Sequence, residues 1–155
     1  MGGAIQIGSK RMSKFDTHEL AWAAGFFDGE GCTNTAVRKD GSSSIRLVVD
    51  QSDDNGVPET LIRFQKAIGG LGSINGPQIR PNRKPKYVFV VAKYIEVQLV
   101  LSLLWPYLST PKRKQATRSI IKLELDGFWR LARMTDESSV NSTVRLSSTT
   151  GSSVP

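Results

Sequence analysis

The chain contains a single cysteine, Cys32, and a single histidine, His18, in 155 residues. One thiol excludes an intrachain disulfide framework and a cysteine-based zinc site. One imidazole excludes a histidine-rich metal centre and a triad that needs a second histidine. Any metal held by this chain is therefore held mainly by oxygen. Long apolar runs are also missing. No stretch approaches the ~18 residues that cross a bilayer, so no membrane association by a spanning helix is expected. Residues 1–15 lack an apolar h-region, so no secretory signal is expected and the protein is placed inside the cell. Acids are in deficit: 14 Asp and Glu stand against 21 Lys and Arg, a net charge of +7. That balance points to a polyanionic partner, nucleic acid first and an anionic membrane second.

What is present is enough for one domain. The hydrophobic fraction is 39%, sufficient for a core at this length. The composition divides the chain into a flexible basic arm over residues 1–15, a folded domain over 16–136, and a Ser/Thr-rich tail over 137–155. The tail has no periodicity and is expected to be disordered.

The chain is organised around residues 22–31, Trp-Ala-Ala-Gly-Phe-Phe-Asp-Gly-Glu-Gly. Upstream, Asp16-Thr17-His18-Glu19 has capping-box spacing with Asp in place of Ser or Thr. A helix from about Thr17 to Asp28 follows, with Gly29 and Gly31 as its stop. Asp28 and Glu30 then fall at the carboxyl end, where the helix dipole disfavours anions. Two carboxylates beside free helix carbonyls form an all-oxygen cluster suited to Mg²⁺ or Ca²⁺. Ala21, Ala24, Gly25 and Asp28 share one helix face. Such small residues serve either tight packing on the protein's own sheet or close approach of a second backbone.

Further along, residues 32–37 and 44–52 read as strands of a hairpin around Lys39-Asp40-Gly41. In the second run Ile45, Leu47 and Val49 alternate with Ser44, Arg46, Val48 and Asp50. The polar face carries Asn34, Arg38, Ser44, Arg46 and Asp50. It is either an ordinary wet sheet face or a ribbon whose side chains pair with base edges in a major groove. A helix is expected from Pro58 to about Ile68, with Leu61, Ile62, Phe64 and Ile68 as its apolar positions. A short strand covers residues 72–75, with a turn at Gly76-Pro77. Arg80, Arg83, Lys84 and Lys86 then populate a Pro-punctuated loop before the strand 87–92. That strand is apolar on both faces and so is expected to be central. The basic loop suits phosphate contact, and Asn75, Arg80 and Lys86 join the candidate base-reading set. A helix over 95–104 with Val97, Leu101 and Leu104 inward ends at Trp105-Pro106-Tyr107-Leu108. Another helix follows Lys112-Arg113-Lys114-Gln115-Ala116, carries Ile120, Ile121, Leu123 and Leu125, and is expected to end near Gly127, with a last helical piece over 128–134. The order αββαββα predicts an α+β fold: a mixed four-stranded antiparallel sheet with helices on one face.

Residues 23–31, Ala-Ala-Gly-Phe-Phe-Asp-Gly-Glu-Gly, resemble the signature of the LAGLIDADG homing endonucleases. Gly25, Asp28, Gly29 and Gly31 match outright, Ala24 and Phe26 are common at their positions, Ala23 replaces the usual Leu, and Glu30 replaces the more frequent Asp. The similarity extends over roughly residues 17–125, and 105–116 resemble the family's Lys-Gln-Ala segment with one extra residue in the loop. The resemblance implies a metal-dependent DNA endonuclease that cuts double-stranded DNA at a long pseudo-palindromic site. A single motif implies a homodimer in which two copies of the first helix pack through Ala21, Ala24, Gly25 and Asp28. It further implies that Glu30 and the Gly29 carbonyl hold Mg²⁺, with Ca²⁺ binding but not supporting cleavage. By the same likeness Lys112 is a catalytic basic residue that polarises the site and orients water, and Asp53, where Gln is familiar in some relatives, positions water. Lys112, Arg113 and Lys114 join the DNA-binding set. Relatives are often encoded in a mitochondrion or chloroplast, within introns. The alternative on the same fold is an intron RNA maturase or a DNA-binding protein that does not cut.

Overall fold

The structure, a computed structural model, describes residues 15–52 and 55–147, with the backbone alone at 136 and 138–147. Residues 1–14 of the expected arm over 1–15 therefore lie outside the described residues. The element order is α1 (Thr17–Glu30), β1 (Gly31–Val37), β2 (Ser43–Ser52), α2 (Glu59–Ala67), β3 (Ser73–Gln78), β4 (Lys86–Val91), α3 (Tyr94–Leu104), a 3-10 turn (Trp105–Tyr107) and α4 (Thr110–Ser147). The strands form one sheet in the order β1-β2-β4-β3, every pair antiparallel. The α+β fold expected from the sequence is the fold observed.

Helix α1 begins as its sequence dictates. The Asp16 carboxylate accepts from the backbone N–H groups of His18 at 2.8 Å and Glu19 at 3.3 Å, satisfying donors that a helix start otherwise leaves open. Glu19 does not close the box. Its carboxylate instead receives two bonds from Arg63 of α2, at 2.9 and 2.8 Å, and this pairing holds it below the usual glutamate range. The helix runs two residues beyond Asp28, through Gly29 and Glu30. Gly29 is accommodated inside the last turn, and the stop is Gly31, which adopts extended backbone and enters β1 directly. A Cβ at Gly31 would stand 2.0 Å from the Phe27 ring, so the residue is glycine because the buried phenylalanine occupies that space.

The core lies between the sheet and the helices. Ile45, Leu47 and Val49 of β2 point inward with Phe89 and Val91 of β4, against Phe27, Phe64, Val97, Val100 and Leu104. Phe64 meets Phe89 edge-on at 5.2 Å between centroids, a favoured aromatic geometry. Strand β4 is central, between β2 and β3, as its two-sided apolar run predicts.

Several expectations are corrected. Ala24 is fully buried in the chain's own core, so it is not part of an exposed stripe; the exposed small residues of α1 are Ala21, Gly25 and Gly29. Strand β3 does not stop at Asn75 but passes through Gly76-Pro77 with a register irregularity to Gln78, so these residues form a bulge rather than a turn. Ile62 is 50% exposed, and Ala67 takes the inward position on α2. The largest difference is α4. It neither ends near Gly127 nor gives way to disorder at 137, but continues as one helix to Ser147. An interior glycine costs only about 1 kcal/mol, and extending an established helix adds a hydrogen bond for each residue fixed. Residues 148–155 of the expected tail lie outside the described residues. Among the described residues no helix is long and apolar enough to cross a membrane.

Candidate active site

Glu30 is the last residue of α1, exposed at the seam where the helix becomes β1. The final bond of the helical ladder is donated by the Gly31 N–H to the Phe27 carbonyl. The carbonyls of Asp28, Gly29 and Glu30 fall beyond it, among the acceptors that a helix end leaves open. Glu30 lines an open cleft of about 880 Å³ with Asp50, Gln51 and Ser52 at the end of β2, Glu59 at the start of α2, and Lys84 and Lys86. Four residues singled out from the sequence for different reasons thus share one cleft: Glu30, Asp50, Lys84 and Lys86. Lys86 and Asp50 form an ion pair.

Lys112 of α4 also reaches this helix end. Its ammonium donates to the Gly31 carbonyl at 2.5 Å and lies 5.3 Å from the centre of the Phe27 ring. The cation is therefore bound to the residue that follows Glu30. Asp28 faces the start of α4: its carboxylate accepts from the Ser109 N–H at 2.9 Å and the Ser109 hydroxyl at 3.1 Å. Ser109 is a site residue that the sequence reading misses. Its local signal is a serine ahead of Thr110-Pro111 at a helix start. The Lys112 N–H bonds back to the same hydroxyl at 3.4 Å.

The donor set suits a hard cation only in part. Among the described residues no group of three or more His, Cys, Asp or Glu side chains could hold a metal ion. Glu30 with the adjacent Gly29 carbonyl supplies oxygen donors alone, and Mg²⁺ is ordinarily held by one or two carboxylates with waters and substrate phosphates. The residues fit such an ion as part of a shell that water and phosphate complete. Asp53 lies outside the described residues.

The outer face of the sheet extends from this cleft. Register puts Asn34 opposite Arg46, Ala36 opposite Ser44, Asp50 opposite Val88 and Asn75 opposite Val88 from the other side. Asn34, Arg46 and Asn75 are exposed there, Arg38 stands at the hairpin tip, and Arg80, Arg83 and Lys84 stand in the loop between β3 and β4. Two candidates are otherwise engaged. Ser44 is 8% exposed and its hydroxyl donates to the Ala36 carbonyl at 3.3 Å. Arg113 donates to the Pro106 carbonyl at 3.1 Å and lies 5.8 Å from the Trp105 ring, so it braces the turn before α4. Lys114 is exposed.

A four-stranded antiparallel sheet with a polar outer face, and an acid-ended helix at its edge, is the fold of the DNA-cleaving homing endonucleases. The chain superposes on the homing endonuclease I-CvuI in complex with its target in the presence of Ca (TM-score 0.55, 29% identity), over 72% of this chain and 67% of that one. It also resembles the I-SmaMI LAGLIDADG homing endonuclease bound to cleaved DNA (TM-score 0.55, 23% identity), over 71% of this chain and 37% of that one. A third similar structure is the group I intron-encoded homing endonuclease I-CeuI complexed with DNA (TM-score 0.54, 19% identity), over 72% and 56%. No family sequence model matches the chain, and no curated protein matches it. With the motif of residues 23–31 at the end of α1, the chain has the fold of the LAGLIDADG homing endonucleases and is similar to them in structure.

Proposed function

We propose that the protein is a site-specific DNA endonuclease that acts as a homodimer with a divalent metal, encoded within an intron. The observation that carries this reading is the position of Glu30. It closes α1 in a cleft shared with Asp50, Lys84 and Lys86, while the Lys112 ammonium is held at the next residue's carbonyl. I-CvuI has been crystallised with its own target in the presence of Ca and with the I-CreI target in the presence of Mg, uncleaved, which supports divalent metal use here.

In this reading the outer face of the sheet lies along the DNA, and the basic loop residues Arg80, Arg83 and Lys84 contact phosphates. Glu30 and the Gly29 carbonyl would hold the metal, Mg²⁺ for cleavage. When bound, it supplies charge stabilisation and a water of lowered pKa. Lys112 offsets negative charge that builds on the attacked phosphate. Asp53 is assigned the role of positioning water. The exposed Ala21, Gly25 and Gly29 of α1 allow a second copy's α1 to approach closely and bring two such sites together. Organelle encoding, common among relatives, belongs to the same proposal.

Cleavage of a randomised duplex library tests it, with Mg²⁺, with Ca²⁺ and with EDTA. Discrete cutting with Mg²⁺ alone, at a site with twofold pseudo-symmetry, is expected. Glu30→Gln should abolish cutting and keep binding. Full cutting by that variant would remove Glu30 from its role. Specific binding without cutting in any metal would move the assignment to a DNA-binding protein that does not cleave, and preference for structured intron RNA would move it to a maturase.

A further inference from the structure

The Lys112 side chain reaches the acid-bearing end of α1 from a different helix, so its placement depends on how α4 begins. Ser109 precedes the first residue of α4. Its hydroxyl accepts from the Lys112 N–H at 3.4 Å, one turn into the helix, as an N-cap does. That hydroxyl has a second bond: it donates to Asp28 at 3.1 Å, and the Ser109 N–H donates to the same carboxylate at 2.9 Å. Asp28 lies two residues before Glu30 on α1. The start of α4 is therefore tied by side chain to the helix that ends in Glu30, and Lys112 closes the loop by donating to Gly31.

We propose that Asp28 and Ser109 act as a positioning relay, which sets the first turn of α4 and so places the Lys112 ammonium at the Gly31 carbonyl, one residue after Glu30. The proposal rests on the nuclease reading for its consequence, but its geometry does not. Asp28 in this role touches neither DNA nor metal. It fixes where a cation stands. An aspartate suits the task because one carboxylate accepts both the N–H and the O–H of a single serine. Asparagine keeps the shape and one acceptor oxygen, and its amide group presents donors where donors already stand.

Two measurements on the full chain test it. The first is reductive methylation of the free protein, followed residue by residue by mass spectrometry, with the exposed Lys114 as internal reference. In the native protein Lys112 should be labelled several-fold more slowly than Lys114. Asp28→Asn and Ser109→Ala should each raise the Lys112 rate toward that of Lys114, and Ser109→Thr, which retains the hydroxyl, should restore protection. The melting temperature is recorded for each variant, so that a general loosening, which raises labelling at every lysine, is recognised by its own signature. Equal labelling of Lys112 in native protein and both variants overturns the relay. So does failure of Ser109→Thr to restore protection in a chain that melts normally.

The second measurement is single-turnover DNA cleavage. Asp28→Asn and Ser109→Ala should lower the rate at saturating protein by up to about 10²-fold, the scale of a ~1 Å misplacement of a catalytic group. DNA affinity measured in Ca²⁺ should stay unchanged. A loss confined to affinity overturns the relay. Labelling uses no DNA, metal or turnover. Altered labelling in variants of a protein whose native form cuts nothing would therefore strike the nuclease reading and leave the relay standing.

Discussion

The ammonium of Lys112 donates to the carbonyl of Gly31 at 2.5 Å, binding a cation from the last helix to the residue that follows Glu30. This bond joins the two segments, residues 23–31 and 105–116, whose likeness to one family is visible separately. If the ammonium offsets charge on the attacked phosphate, Lys112→Met should slow cleavage by about 10²–10³-fold, the usual effect of removing one preorganised electrostatic group. Binding of the target in Ca²⁺, measured by electrophoretic shift, should change little. A variant that cuts at the native rate would exclude the role.

Gly25 and Gly31 separate the demands of folding from those of the proposed homodimer. A Cβ at Gly31 would meet the Phe27 ring at 2.0 Å, whereas one at Gly25 has nothing within 4 Å in its own chain. Gly31→Ala should therefore lower stability by about 1–3 kcal/mol, the usual effect of overpacking, visible as a lower denaturation midpoint. Gly25→Val should leave the monomer folded and, if the proposed homodimer packs through α1, dissociate it, because the added atoms would lie between two α1 helices. Sedimentation velocity decides it: an unaltered dimer in Gly25→Val would place the interface elsewhere.

Much of this arrangement is legible locally. The Asp16 cap, the Asp40-Gly41 turn and the alternation of Ile45, Leu47 and Val49 are written in neighbouring residues, and each folds as written. What escapes is set by distant partners. Ala24 reads like Ala21 on a helix face, yet it is fully buried in the core. Ser44 reads as a free hydroxyl until β1 brings the Ala36 carbonyl to it. Ser109 matters because Asp28, eighty-one positions earlier, lies opposite. Gly127 reads as a stop, but one glycine does not end a helix that is already formed. The register of the outer face is readable from period two, whereas the cleft that joins Glu30 to Lys84 and Lys86 depends on how the hairpins pair.

Glu19 and Arg63 give a pH dependence with a defined sign. Their two hydrogen bonds hold the Glu19 carboxyl below its ordinary value, while the Arg63 guanidinium also lies 3.9 Å from the centre of the Trp22 ring. A depressed carboxyl contributes stability that is present above the ordinary glutamate pKa of about 4.3 and is lost as the pH falls through the lower, folded value. Native protein should melt above Glu19→Gln at neutral pH, and the gap should close on acidification below that range. A gap that is constant from neutral to strongly acid pH would show that the pair acts through packing alone.

Arg46 and Lys84 make the sharpest contrast on the proposed DNA face. Arg46 is exposed on the outer face of β2, opposite Asn34, where a guanidinium can address base edges. Lys84 is exposed in the loop before β4, where in the proposed complex an ammonium would meet the DNA backbone. Arg46→Ala should relax preference at one position in each half-site, with discrimination there falling by about 1–3 kcal/mol. Lys84→Ala should weaken binding to all sequences alike and reduce the slope of log affinity against log salt by about 1 for each phosphate no longer neutralised. Both are read by selection from a randomised duplex library together with a salt titration. If Arg46→Ala leaves the target profile unchanged and alters only the salt slope, the outer face of β2 is a phosphate surface, and base reading belongs to other strands.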